Sequence, residues 1–248
     1  VVQALFAALL TKVGIYALFR TFTLMFPFNQ DVTHLLIGIM AGVTIVAGCM
    51  GALSGRDVRT IATYNVIIGV GFILIGLASG TETGFAGAIY YLVHDMLAKA
   101  LLFLILGTVV YVTGETIVKN MSGLIRNYPL FGWIYFLVMC ALAGIPPLSG
   151  FLGKVLIGQG AIEGQNYVLL TLGFASSVIV LYSLLRIFLA SFFGETTISE
   201  ADKKPIPKLA MVSFVLLAII IISIGIAAEG IAPFVEDAAR TLADPSIY

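Results

Sequence analysis

Five stretches of this chain, 32–55, 60–81, 127–153, 164–185 and 209–228, contain no Asp, Glu, Lys or Arg. Each reaches the roughly 20 residues that a helix needs to cross the hydrocarbon of a bilayer. Backbone groups in hydrocarbon must find hydrogen-bond partners within their own segment, so such stretches are read as helices. Only 10% of the 248 residues are charged and 60% are hydrophobic, whereas a soluble domain carries about 25% charge. Too few charged groups remain to clothe a water-soluble surface, which excludes a soluble globule. The chain reads as an all-α, polytopic membrane protein.

Punctuation by Gly, Pro and charge divides it into seven spans at about 1–26, 33–54, 59–80, 86–112, 130–162, 167–192 and 208–228. Residues 1–228 are expected to form one transmembrane bundle. The segment 229–248, with Pro233, Pro245 and mixed charge, is expected at the surface. The opening Val1-Val2 falls inside an apolar helical pattern with no initiator Met and no basic leader, which reads as a piece of a longer chain. Lys and Arg in short loops stay on the cytoplasmic side. Arg56 and Arg59, Lys119 and Arg126, and Lys203, Lys204 and Lys208 lie in the second, fourth and sixth connections, and the odd connections hold none. Loops 55–60, 113–129 and 193–207 are therefore expected in the cytoplasm and the C-terminus outside.

Thirteen basic against thirteen acidic side chains, with no basic run, Gly-rich phosphate loop or zinc-ligand spacing, exclude nucleic-acid binding and call for no metal or cofactor. Cys49 and Cys140 sit within apolar runs, where a thiol is small packing filler. Glycine pairs four apart, Gly38 with Gly42, Gly51 with Gly55 and Gly76 with Gly80, have the spacing that lets two backbones approach closely. The sequon Asn120-Met121-Ser122 falls in a loop expected in the cytoplasm and carries no weight.

Four ionisable groups lie deep in the spans: Lys12, Asp95, Lys99 and Lys154, with His94 beside one pair. A charge at a helix centre costs about 2.5–3.5 kcal/mol on insertion scales, so these residues must be paired, hydrated or neutral. Arg20 and Arg186 stand nearer helix ends, where long stems reach the headgroups. Asp95 and Lys99 are four apart with the acid first, which puts them on one helix face as an ion pair, while His94 points about 100° away. Lys12 and Lys154 have no acid at helical spacing and must find partners on other helices or in water. Buried lysines and a histidine at that depth are what a proton relay requires.

The fifth span carries Gly144-Ile145-Pro146-Pro147-Leu148-Ser149-Gly150 at its middle. Prolines remove backbone donors and clash with the preceding turn, so the helix should break there. Irregular backbone at membrane depth survives only when buried in protein or lining a water-filled cavity, and broken helices in transporters form ion sites. Lys154 follows about one turn later.

Three stretches carry a family resemblance: AALLTKVGIY at 7–16, HDMLAKALLFL at 94–104 and LAGIPPLSGFLGK at 142–154. They resemble the eighth, eleventh and broken twelfth helices of the antiporter-like membrane subunits shared by Mrp-type Na+/H+ antiporters, respiratory complex I and membrane-bound hydrogenases. The runs LYSLLRIF at 181–188 and FFGE at 192–195 fit as well, so the similarity covers helices eight to fourteen of a fourteen-helix subunit. YNVI at 64–67, YYLVHD at 90–95 and the intact IPPLSG at 145–150 are most similar to the D-type branch of the Mrp antiporters.

That resemblance implies exchange of cytoplasmic Na+ for external protons within a cell-membrane complex that also holds subunits of A, B, C, E, F and G type. It places relay sites at Lys12, His94, Lys99 and Lys154, with Asp95 beside them and the helix break at Pro146, Pro147 and Gly150. The family's glutamate of helix five and lysine of helix seven would lie before Val1. Asn65 stands where relatives often have His and cannot titrate. The expected mechanism is a water-bridged polar axis parallel to the membrane, with no cofactor. The alternatives are a subunit of the same kind in a redox-driven proton pump, and a scaffold whose buried lysines form closed salt bridges.

Overall fold

The structure, a computed structural model, describes residues 2–25, 30–195 and 204–244. In chain order it has α1 (Val2–Leu5), a π-helical turn (Phe6–Leu10), α2 (Thr11–Arg20), a second π-helical turn (Thr21–Met25), α3 (Gln30–Ser54) and α4 (Val58–Ala78). There follow α5 (Glu82–Thr113), α6 (Leu124–Asn127), α7 (Pro129–Ala143), α8 (Ser149–Glu163), α9 (Tyr167–Phe192), α10 (Lys208–Ile226) and α11 (Ala232–Ala243). No strand occurs among the described residues, only an isolated bridge between Asp57 and Ile117. Six helical stretches, Phe6–Met25 among them, are long and apolar enough to span a bilayer, and α7 is a shorter apolar helix. The molecule is an all-α, multi-pass membrane protein in which the stretch around 130–162 is discontinuous. Lys203 and Pro245 lie outside the described residues.

Local chemistry sets the helix ends. The Asp57 carboxylate accepts from the Thr60 N–H at 3.2 Å at the start of α4, and Thr81 Oγ1 accepts from the Gly84 N–H at 3.1 Å at the start of α5. Pro129 occupies the first turn of α7, where its missing N–H leaves no bond unmade. Gly144, at φ 87°, ends that helix in a left-handed conformation that a side chain would strain.

The 32-residue α5 is the central post, in contact with α4, α7, α8, α10 and α11. Leu101, Leu102, Ile105 and Val109 on it are buried. Large apolar side chains face outward on the periphery, including Leu35, Ile39, Val43 and Met50 on α3 and Leu209, Val212, Leu216 and Ile219 on α10. Water would not tolerate such continuous apolar faces, and lipid tails do.

The connections sort into two layers. On one side, Val58 N–H donates to Thr116 O at 3.0 Å, Val118 N–H to Arg56 O at 3.0 Å and Gly123 N–H to Phe193 O at 3.0 Å. These bonds tie together the α3–α4, α5–α7 and α9–α10 connections. On the other side, Thr83 Oγ1 donates to Glu163 at 3.1 Å, Asn166 to Ala78 O at 3.4 Å and Arg240 to Glu82 at 3.2 Å. The amphipathic α11 lies in that second layer, with Val235 and Ala239 turned inward.

Arg186 reaches from α9 to the end of α3, beside the connection that carries Arg56. Its guanidinium donates to the carbonyls of Ala52, Leu53 and Gly55. Those groups close α3 and have few intrahelical donors, so the positive charge satisfies them and meets the negative end of the helix dipole.

Candidate functional site

The buried charges form one cluster around Asp95. Its side chain is fully buried on α5, and one turn along the same face Lys99 Nζ sits 3.0 Å from Asp95 Oδ1. Lys12, from α2, places Nζ 2.6 Å from the other oxygen, Oδ2. One carboxylate thus serves two ammonium groups, one on each oxygen. Lys12 also donates to Ala7 O at 3.1 Å, inside the π-helical turn that precedes it. Lys99 donates to the α4 carbonyls of Asn65 at 2.8 Å and Val66 at 3.4 Å. A buried charge is tolerable only when paired and hydrogen-bonded, and both lysines meet that condition without water.

Space for this arrangement comes from Gly69 on α4. A Cβ there would collide with Lys99 Nζ and lie 2.9 Å from Asp95 Oδ1. Asn65, one turn earlier, is held by bonds from its amide to Ile61 O at 2.9 Å and Ser183 Oγ at 3.0 Å.

Lys154 is buried on α8 without an acid. Its ammonium donates to Leu142 O, Ala143 O and Ser177 Oγ, each at 2.9 Å. Ending α7 at Ala143 frees those two carbonyls, so the break itself supplies the lysine's acceptors. The faces of Phe72 and Tyr91, 5.5 and 5.9 Å from Nζ, add cation–π attraction. Between Lys154 and the Asp95–Lys99 pair runs a narrow internal gap bordered by Asn65, Tyr91, Ser176 and Ser177. It holds room for about one water, with polar groups on several sides to bind it.

His94, fully buried, turns away from Asp95 toward the break. Its Nδ1 lies 2.7 Å from Ser149 Oγ at the first residue of α8. Pro146 and Pro147 form the connector between α7 and α8, and Gly225 of α10 closes against the Pro147 carbonyl. The structure therefore brings Lys12 into the Asp95–Lys99 pair, sets Lys154 across a one-water gap and links His94 to the break by a hydroxyl. Reading single spans missed Gly69, Ser177 and Ser149. Their available signals were a glycine one turn after Asn65 and hydroxyls inside apolar helices.

The family described as NADH:quinone oxidoreductase/Mrp antiporter, transmembrane, matches residues 1–180. The Staphylococcus aureus (strain Mu3) protein named antiporter subunit mnhD2 is 44% identical over 245 residues, covering 99% of this chain and 49% of that protein. The chain spans about half the length of the curated relatives it matches. Among solved structures, the Mrp complex from Dietzia sp. DQ12-45-1b superposes with a TM-score of 0.89 at 26% identity, over 98% of this chain and 53% of that one. Respiratory complex I from Thermus thermophilus with bound NADH gives 0.84 at 26% identity, over 93% and 49%. With more than half of its length matched and the buried charges set around a broken helix, the chain belongs to the NADH:quinone oxidoreductase/Mrp antiporter transmembrane family.

Proposed function

We propose that this chain is the proton-translocating part of a subunit of a multi-subunit Na+/H+ antiporter, a secondary transporter of the cell membrane. Protons move along Lys12, Asp95, Lys99, Lys154 and His94. The observation that carries this reading is the sharing of one buried carboxylate by two ammonium groups, with a third lysine across a gap that fits one water. Two cations competing for one counter-charge are strongly coupled: when either loses its proton, the carboxylate belongs wholly to the other. Lys154, held by carbonyls of the break, can exchange with Lys99 through a water in that gap. Pro146 and Pro147 keep the backbone open there, and Gly150, in the first turn of α8, lets that helix begin close against the end of α7.

The proposed partners are subunits of A, B, C, E, F and G type, the lipid bilayer, and Na+ and H+ as transported ions. Loops 55–60, 113–129 and 193–207 are assigned to the cytoplasm and the C-terminus to the outside, since Arg56, Arg59, Lys119, Arg126 and Lys204 share one layer of connections.

Lys154→Ala in the assembled complex tests the reading. Na+-driven proton movement in vesicles should fall at least about tenfold, and unimpaired transport removes Lys154 from the path. The second reading, a redox-driven proton pump, is favoured by the likeness to respiratory complex I. Flavin or iron–sulfur centres in the purified complex would select it, and their absence together with Na+-dependent exchange would select the antiporter. A scaffold predicts that Asp95→Asn alters assembly and leaves the transport rate per complex unchanged.

A further inference from the structure

The His94 imidazole is fully buried, yet its Nε2 has no hydrogen-bond partner. Its other nitrogen is pinned 2.7 Å from Ser149 Oγ. That side of the ring packs against Gly150: a Cβ at that position would lie 2.8 Å from His94 Nε2 and collide with the Ala141 carbonyl. The missing side chain lets the first turn of α8 come close to that nitrogen and that oxygen together. Ala141 O accepts just the Gly144 N–H, at 3.2 Å, because Ile145 N–H has turned back to Cys140 O. An orphaned ring nitrogen and an under-used carbonyl therefore meet across one glycine at the break.

Resting on the proton-path reading above, we propose that Ser149 is a positioning residue for His94, turning Nε2 toward Gly150 as the atom that exchanges the proton. In that role the Ser149 oxygen accepts from Nδ1–H, which leaves the lone pair on Nε2, beside Gly150. Nε2 takes up one proton delivered along the path and later passes one on. Nδ1 keeps its proton throughout, and Ser149 remains the acceptor in both states. Because Ser149 begins α8 and Ala141 lies in the last turn of α7, any shift between the half-helices changes the geometry of this exchange.

Ser149→Ala, His94→Ala and the double variant in the assembled complex test the proposal, by the rate of Na+-driven proton movement in vesicles at matched amounts of complex. The expected result is a loss of about tenfold or more for Ser149→Ala and no further loss when it is added to His94→Ala, as for residues that act as a unit. Ser149→Cys, which keeps a weaker acceptor in the same place, should fall between wild type and Ser149→Ala. A Ser149→Ala rate within twofold of wild type overturns the proposal, as do losses that multiply in the double variant. Should Ser149→Ala fail to assemble, Ser149→Cys decides: a wild-type rate overturns, and a reduced rate that His94→Ala does not worsen supports. Lys154→Ala in the same assay separates the two ideas. If it abolishes transport while Ser149→Ala is silent, the proton path stands and this inference falls; if Lys154→Ala is silent, the path reading itself falls.

Discussion

At the level of single residues the balance of charge around Asp95 decides which substitutions are tolerated. Asp95→Asn leaves Lys12 and Lys99 buried beside a neutral amide, and removing one partner of a buried pair costs about 3–5 kcal/mol. Lys12→Met removes a cation whose partner still has Lys99, so it should destabilise less. Thermal unfolding of the complex with each variant should rank Asp95→Asn below Lys12→Met, and the reverse order would mean that Lys12, not Asp95, holds the cluster together. Glycine substitutions sharpen the same point. A Cβ at Gly69 strikes Lys99 Nζ, while one at Gly14 meets nothing within 4 Å. Gly69→Ala should lower the antiport rate about tenfold or more and cost about 1–3 kcal/mol of stability, the usual range for overpacking. Gly14→Ala, in a helix with open space, should leave both unchanged or raise stability slightly. Equal effects of the two would show that the Lys99–Asp95 geometry does not limit transport. The Asp95–Lys99 pairing was legible in the sequence because it needs only helical spacing. The pairing of Lys12 with the same carboxylate was not, since it depends on how α2 leans on α5.

Single elements show where pattern is enough and where it stops. The Gly-Ile-Pro-Pro run announced a break because two prolines and a glycine forbid regular hydrogen bonding whatever surrounds them, and α7 does end at Ala143 with α8 beginning at Ser149. The start of α5 was placed some residues late. The span expected from about 86 begins at Glu82, because Thr81 caps the helix and the acid sits favourably in its first turn. The π-helical turns Phe6–Leu10 and Thr21–Met25 left no trace in the sequence, because one extra residue per turn changes no hydrophobic period over such a short run. The stem of Arg186 extends toward a helix end, and what its guanidinium meets there is the last carbonyls of α3. Nothing local to α9 could indicate that the α3 carbonyls were within reach. Arg186→Leu should therefore lower the thermal midpoint of the complex through about 1–3 kcal/mol of lost charge-assisted hydrogen bonding, while leaving transport per folded complex near wild type. A loss of rate with unchanged stability would instead place Arg186 among the transport residues.

Across the whole molecule, two kinds of order coexist: outward apolar faces that any lipid satisfies, and an interior where one glycine or hydroxyl decides whether a buried charge has a partner. The first kind was plain from composition and run length. The second required helices far apart in sequence to be placed side by side, as when Asn65 of α4 meets Ser183 of α9 at 3.0 Å. The layering of the connections joins both kinds, because the loops that carry Arg56, Lys119 and Arg126 bond to one another while the acid-bearing Glu82 and Glu163 lie in the opposite layer with α11. If the positive layer faces the cytoplasm, Lys119→Cys should react with a membrane-impermeant maleimide only in inside-out vesicles, and Glu163→Cys only in right-side-out ones. Cys49 and Cys140 are buried and so shielded from such a reagent. Both exposed sites reacting from one side would break the two-layer assignment. Reaction from the opposite sides to those stated would keep the layers and invert the chain, moving the Lys154 end of the path to face the other compartment's supply of protons.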